Sequence, residues 1–166
     1  KRQVLEYLEQ NGCLESFQSG RIKVKYSPVD DRCLFFMNDG QGAVGRSLSN
    51  AKPKWMSYGD TTGVLTVGNS ETGVIVEDTP SACAVSSTGM YTGIAILGTN
   101  LSTKQKQALK TYKKIVICLD NDAKKKSILL LMQLQGLVKC TVRFISKDLK
   151  HRLSDDIVNV IERPGS

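Results

Sequence analysis

Residues 115–136 read IVICLDNDAKKKSILLLMQLQG. An unbroken apolar run stops at Asp120 and Asp122, and a lysine-led segment with helical spacing then continues to Gly136. A short run with no polar alternation is expected for a strand buried on both faces, which needs a parallel sheet covered by helices. The same unit recurs on both sides. GVIVE (73–77) is an apolar run closing in an acid, and TPSACAVSS after it reads as a helix over 79–87. Thr79 is the expected N-cap there, with Pro80 at the first helical position, where its missing N–H costs nothing. GIAIL (93–97) is the next run, followed by an expected helix over 102–114 capped by Ser102. VKCTVRFI (138–145) supplies a fourth strand, and 154–163 a last helix capped by Ser154. Strands alternating with helices predict an open α/β domain over residues 73–163.

The upstream third is of another kind. Val4, Leu5 and Leu8 sit at helical spacing in a segment that Gly12 ends. RIKVKY (21–26) alternates basic and apolar residues, as a half-exposed strand does, and RCLFFM (32–37) is a second strand. Asp39-Gly40 is a turn, residues 43–48 return, and VLTV (64–67) is a last short strand before a polar seam. We therefore expect a small basic α+β subdomain over 1–72. Gly40, Gly42 and Gly45 spell the G-x-G-x-x-G pattern of dinucleotide-binding loops. That chemistry needs a helix opening at once, so that its amino end meets the pyrophosphate. RSLSNAKPKW does not start one, so the glycines belong to a hairpin.

Composition narrows the function. The chain has 166 residues, 40% of them hydrophobic, and Lys plus Arg (23) exceed Asp plus Glu (16) to give a net charge of +7. No stretch reaches the ~18–20 apolar residues of a membrane span, and no secretory leader is evident. We expect a cytoplasmic protein with no membrane partner and a polyanion as the first partner to consider. Cys13, Cys33, Cys83, Cys118 and Cys140 are odd in number and none form a Cys-x-x-Cys pair; with His151 the sole histidine, a zinc ribbon is excluded. Free thiols are expected.

In an open parallel sheet, ligands bind beyond the carboxyl ends of the strands. Glu77, Asp120 and Asp122 fall there. Residues i and i+2 of an extended segment point the same way, so Asp120 and Asp122 can both face one ion. Clustered carboxylates repel unless a hard cation lies among them, and magnesium is suited to a few carboxylates plus substrate phosphates. The alternative for each acid is capping of the helix that follows.

The segments GVIVEDTPSACAV, GIAILGTNLS and KKIVICLDNDAKKKS resemble the TOPRIM domain, a Rossmann-like parallel-sheet fold with a glutamate after its first strand and an Asp-x-Asp after a later one. That family includes bacterial and bacteriophage primases, topoisomerases and nucleases. ILGT (96–99), the upstream DRCLFFMNDGQGAVGRSL with PKW, and the tail SKDLKHRLSDDI are similar to the primase version. The resemblance spans about residues 30–160. It implies a DNA primase RNA-polymerase core that makes short RNA primers from ribonucleoside triphosphates on a single-stranded DNA template, with Mg²⁺ or Mn²⁺ as cofactor and a replicative helicase as a further partner. It implies Glu77, Asp120 and Asp122 as catalytic metal ligands, with Asp148, or Asp155 and Asp156, completing the set. It also implies Arg32, Arg46 and Lys54 as triphosphate or nucleic-acid contacts. Trp55 stacks on a base or plugs the seam between subdomains, and Lys124 meets phosphate or is a solvated helix residue. Two departures stand out. Ser81 occupies the place of a second acid, with Asp78 as a substitute, and Leu149 replaces a proline. A TOPRIM nuclease and a weak nucleic-acid-binding module are the rival readings.

Overall fold

The computed structural model describes residues 2–120, 122–146 and 148–163. Helices α1 (Arg2–Gln10) and α2 (Leu14–Gln18) lead into an antiparallel sheet of β1 (Val24–Ser27), β2 (Arg32–Phe36), β3 (Gly42–Ser47) and β4 (Trp55–Gly59), paired in that order. Then come β5 (Leu65–Val67), β6 (Thr72–Val76), α3 (Thr79–Ser86), β7 (Thr92–Ala95), α4 (Thr103–Leu109), β8 (Lys114–Ile117), α5 (Lys124–Leu134), β9 (Cys140–Val142), a 3-10 turn at Leu149–His151, and α6 (Ser154–Glu162).

The second sheet runs β5-β7-β6-β8-β9, parallel throughout except for β5, which pairs antiparallel with β7 through Thr66 opposite Ile94. The sheet thus takes in residues 65–67, upstream of position 73 where the second unit was expected to begin. Side chains of a strand alternate between faces, and here residue type follows the face. Val74, Val76, Val116 and Cys118 enter the core shared with α3, α6, α1 and the first sheet. Ile75, Ile115, Ile117 and Leu119 enter a second core with Leu109 of α4 and Leu130 and Leu134 of α5. Both faces are buried, which accounts for the unbroken apolar runs. The first sheet shares the first of these cores through Cys33, Phe35 and Val44, so the two sheets do not pack independently.

The expected hairpin is present. Gly40 has φ 72°, and a Cβ on Gly45 would lie 2.7 Å from the Tyr58 ring and 2.9 Å from Leu34, so bulk there would push the strands apart. Strand β4 was not expected, because WMSYG carries no clean alternation. Ser102 forms the expected capping box with Gln105, but α4 is shorter than 102–114. Thr79 is not a cap: Asp78 is, accepting from the Ser81 N–H at 2.9 Å. Leu153 stands at the cap position of α6 and contributes no side-chain bond, so Ser154 does not cap it. The five cysteines are free, and the neighbouring Cys83 thiol and burial push the Cys13 thiol up. Among the described residues no helix is long and apolar enough to cross a membrane.

Candidate active site at the carboxyl end of the parallel sheet

Chain order and strand order part company at β6. From β6 the chain crosses to β7 on one side, then passes back over to β8 on the other. Loops leaving the two directions diverge at such a point and leave a crevice. Glu77, the residue after β6, stands in it half-buried. Asp120, three residues beyond β8, is also half-buried and shares a side-chain hydrogen bond with Asp148. Burial, the Asp148 carboxylate and the charges of Glu77 and Asp78 push the Asp120 carboxyl up to about 7. Two of the other expected metal ligands, Glu77 and Asp148, are therefore within electrostatic reach of Asp120.

Asp122 is not gathered with them. The Ala123 N–H donates to the Asp120 carbonyl at 3.0 Å, so Ala123 closes back on Asp120 rather than lying on an extended continuation of the strand. Asp122 is a turn residue and is exposed. The i, i+2 argument fails because the strand ends at Ile117, before the acids. Asp155 and Asp156 are exposed in the first turn of α6, where they complement the helix dipole. Asp78 cannot replace a missing ligand freely: one oxygen caps α3 and the other accepts from Lys150 Nζ at 2.8 Å. Burial raises the Asp78 pKa, but Lys150 and Ser81 outweigh it and hold it below the usual value.

Two lysines sit among the acids. Lys126 Nζ is 3.5 Å from Glu77 Oε2 and donates to the Ile96 carbonyl at 3.1 Å. Lys150 bridges Asp78 and, at 3.9 Å, Asp148. The signal for Lys126 was the triple lysine at the start of α5, which offers no means of choosing among its members, and that for Lys150 was the SKDLKHRLSDDI segment. The donor chemistry fits a hard divalent cation: oxygen ligands only, crowded enough that one holds its proton to near neutrality. The side chains do not yet enclose one point, since among the described residues no three acids, cysteines or histidines are close enough together to hold an ion.

The basic residues divide. Arg32 is 2% exposed and spends its guanidinium on the carbonyls of Gly45 (3.1 Å), Lys54 (3.2 Å) and Pro53 (2.6 Å). It is a fastener of the 53–54 segment, not a free phosphate ligand, and that expectation is corrected. Arg46 stacks 5.7 Å from the Tyr7 ring and shares a small surface hollow with Lys52 and exposed Lys54. Trp55 is half-buried. It packs on Phe35, ring centroids 6.0 Å apart, and it also walls a hollow of about 200 Å³ with Val44 and Leu97 that reaches Glu77 and Lys126. Lys124 lies elsewhere, 5.6 Å from the Phe144 ring centroid.

Residues 75–148 match a family model described as Toprim-like. No curated protein matches the chain significantly. Among solved structures, the zinc-binding and RNA polymerase domains of the Aquifex aeolicus primase superpose with TM-score 0.67 at 21% identity, covering 97% of this chain and 48% of that one. A DnaG catalytic core gives TM-score 0.66 at 17% identity, covering 95% and 68%. A DnaG primase catalytic domain bound to ssDNA gives 0.65 at 18%, covering 96% and 62%. The chain thus spans about half the length of the first of these structures and under two thirds of the third.

Proposed function

We propose that this chain, a TOPRIM-domain protein with the fold of a primase catalytic core, is a nucleotidyltransferase that joins ribonucleoside triphosphates into short RNA primers on a single-stranded DNA template. The observation that carries the reading is that Glu77 and Asp148 both act on the Asp120 carboxyl at the sheet's switch point, beside a hollow walled by Trp55 and Glu77. Those three carboxylates would hold Mg²⁺ or Mn²⁺, with Asp122 at the rim. A divalent ion bound there supplies Lewis-acid stabilisation of the charge on the transferring phosphoryl group and the departing pyrophosphate.

The chain's own residues do the rest. Lys126 pairs with Glu77, and Lys150 with Asp78 and Asp148, which holds their carboxyls in place. Arg46 and Lys54, which line a separate surface hollow with Lys52, supply positive charge for triphosphate or template phosphates, arginine as a bidentate fork and lysine as a point charge. The open face of Trp55 takes a base by stacking, which tolerates any base because each has a π-face.

The test is incubation with ribonucleotides, a single-stranded DNA template and Mg²⁺ or Mn²⁺. Short RNA products that vanish in Asp120→Asn are expected. Template degradation without synthesis would instead make the chain a TOPRIM nuclease, and binding with neither activity would make it a binding module.

A further inference from the structure

A second basic hollow opens where β9 ends. It measures about 500 Å³ and is lined by Lys124, Phe144, Ser146, Arg152 and Arg163, with no acid among its lining residues. Phe144 is 44% exposed, an unusual position for a phenylalanine. Lys124 Nζ stands 5.6 Å from its ring centroid, and Arg163 donates to its carbonyl at 3.4 Å. The α5 amino terminus begins at Lys124, and Ala123 before it gives no side-chain cap. Of the lysines that open α5, Lys126 is paired with Glu77, while Lys124 lines the hollow at a helix start where a cation is electrostatically poor unless an anion is near.

The hollow adjoins the acid cluster without being part of it. The Arg143 N–H donates to the Ile117 carbonyl at 2.8 Å, and β9 pairs in parallel with β8. The segment that leads to Phe144 therefore runs beside the one that leads to Asp120. With no carboxylate in its lining, the hollow is unsuited to a metal-bound triphosphate. Cations around an exposed ring suit a phosphodiester and its base, as in single-strand binding grooves.

We propose that this hollow holds one nucleotide of single-stranded nucleic acid, with its phosphate among Lys124, Arg152 and Arg163 and its base against Phe144. The inference rests on the function proposed above, for which it supplies a path for the strand away from the acids.

The experiment is fluorescence anisotropy of the full chain with a labelled single-stranded DNA oligonucleotide across a salt series. Phe144→Ala should weaken binding about 5- to 150-fold, the range for losing one base stack, and Phe144→Tyr should restore it. Arg163→Gln should flatten the slope of log affinity against log salt by roughly 0.7, the value of one lost phosphate contact. Lys139→Ala, an exposed cation outside the lining of the hollow, should not reproduce the stacking loss. Unchanged affinity in Phe144→Ala together with an unchanged slope in Arg163→Gln would overturn the proposal. So would ATP without metal displacing the oligonucleotide from wild type, with ATP binding lost in both variants; that pattern would make the hollow a free-nucleotide site. Thermal melts of each variant separate lost binding from lost folding, and exposed Arg163 provides the arm least exposed to that problem. Loss of binding in these variants with no primer synthesis by wild type would leave this inference standing and remove the function; synthesis with binding unchanged in the variants would do the reverse.

Discussion

Asp120 and Asp148 share a side-chain hydrogen bond at the mouth of the parallel sheet, so one of two neighbouring carboxyls keeps a proton well above the usual carboxylate range. The cause is first burial and then the Asp148 charge. A carboxyl whose folded pKa (about 7) exceeds its unfolded one (~3.9) favours the folded state in its protonated form. That stabilisation is complete below about pH 4 and is lost as pH rises through about 7. The metal-free protein should therefore lose melting temperature between pH 5 and pH 8, and Asp120→Asn should flatten that decline. Mg²⁺ or Mn²⁺ binds only the ionised form, so its thermal stabilisation should be larger at pH 8 than at pH 6. A metal effect of equal size at both pH values would count against Asp120 as a ligand.

The four acids should differ in kinetic weight. Loss of an outer partner of a metal ligand costs about 10–100-fold, so Asp120→Asn should exceed about 100-fold in primer synthesis. Asp122→Asn should cost less, because Asp122 is exposed on the turn beyond Asp120. Steady-state rates at saturating template and metal decide it; equal losses would show that the turn rearranges when metal binds.

Lys150 is held between Asp78 and Asp148. Lys150→Met removes a charge-assisted hydrogen bond worth about 1.5–3 kcal/mol, less the screening that a partly exposed pair suffers. Asp78 has a depressed pKa, so its pairing stabilises above the unfolded value of ~3.9 and fades as pH falls below it. Denaturant melts should show a larger deficit for the variant at pH 7 than at pH 3.

Arg32 and its two neighbours should separate stability from binding. Arg32→Lys keeps the charge but not the fork that reaches three carbonyls, and should destabilise by about 1–3 kcal/mol. Arg46→Gln and Lys54→Gln should leave the melting temperature within a degree or two while weakening nucleotide binding and its salt dependence. Comparable melting losses in all three would refute the division.

Ser102→Ala should cost about 0.5–2 kcal/mol by removing the cap of α4, measurable in urea. The Gln105 side chain also bonds the Gly63 carbonyl, so the loss should loosen the 61–64 loop together with the helix.

Much of this was legible in the residues themselves. Unbroken runs such as IVICL can satisfy their hydrophobic surface only between two layers, so the parallel sheet and its flanking helices followed from local pattern. The polar insertion in β4 hid that strand, because its pairing with β3 supplies what its own alternation does not. The placement of Glu77 and Asp120 at strand ends was also readable, since a strand end is a local feature. Their partners were not. Asp148 reaches Asp120 because β9 lies beside β8, and Lys126 rather than Lys124 meets Glu77 because of how α5 packs over the sheet. Arg32 looked like any surface cation until β3 and the 53–54 carbonyls closed over it. Sequence by itself determined the layers and the positions of the acids along the chain, because burial periodicity and strand ends act over a few residues. Only the tertiary structure decided which acids meet, which lysines neutralise them and which arginine is removed from solvent, because those depend on strand order and turn geometry that bring together residues up to 72 positions apart.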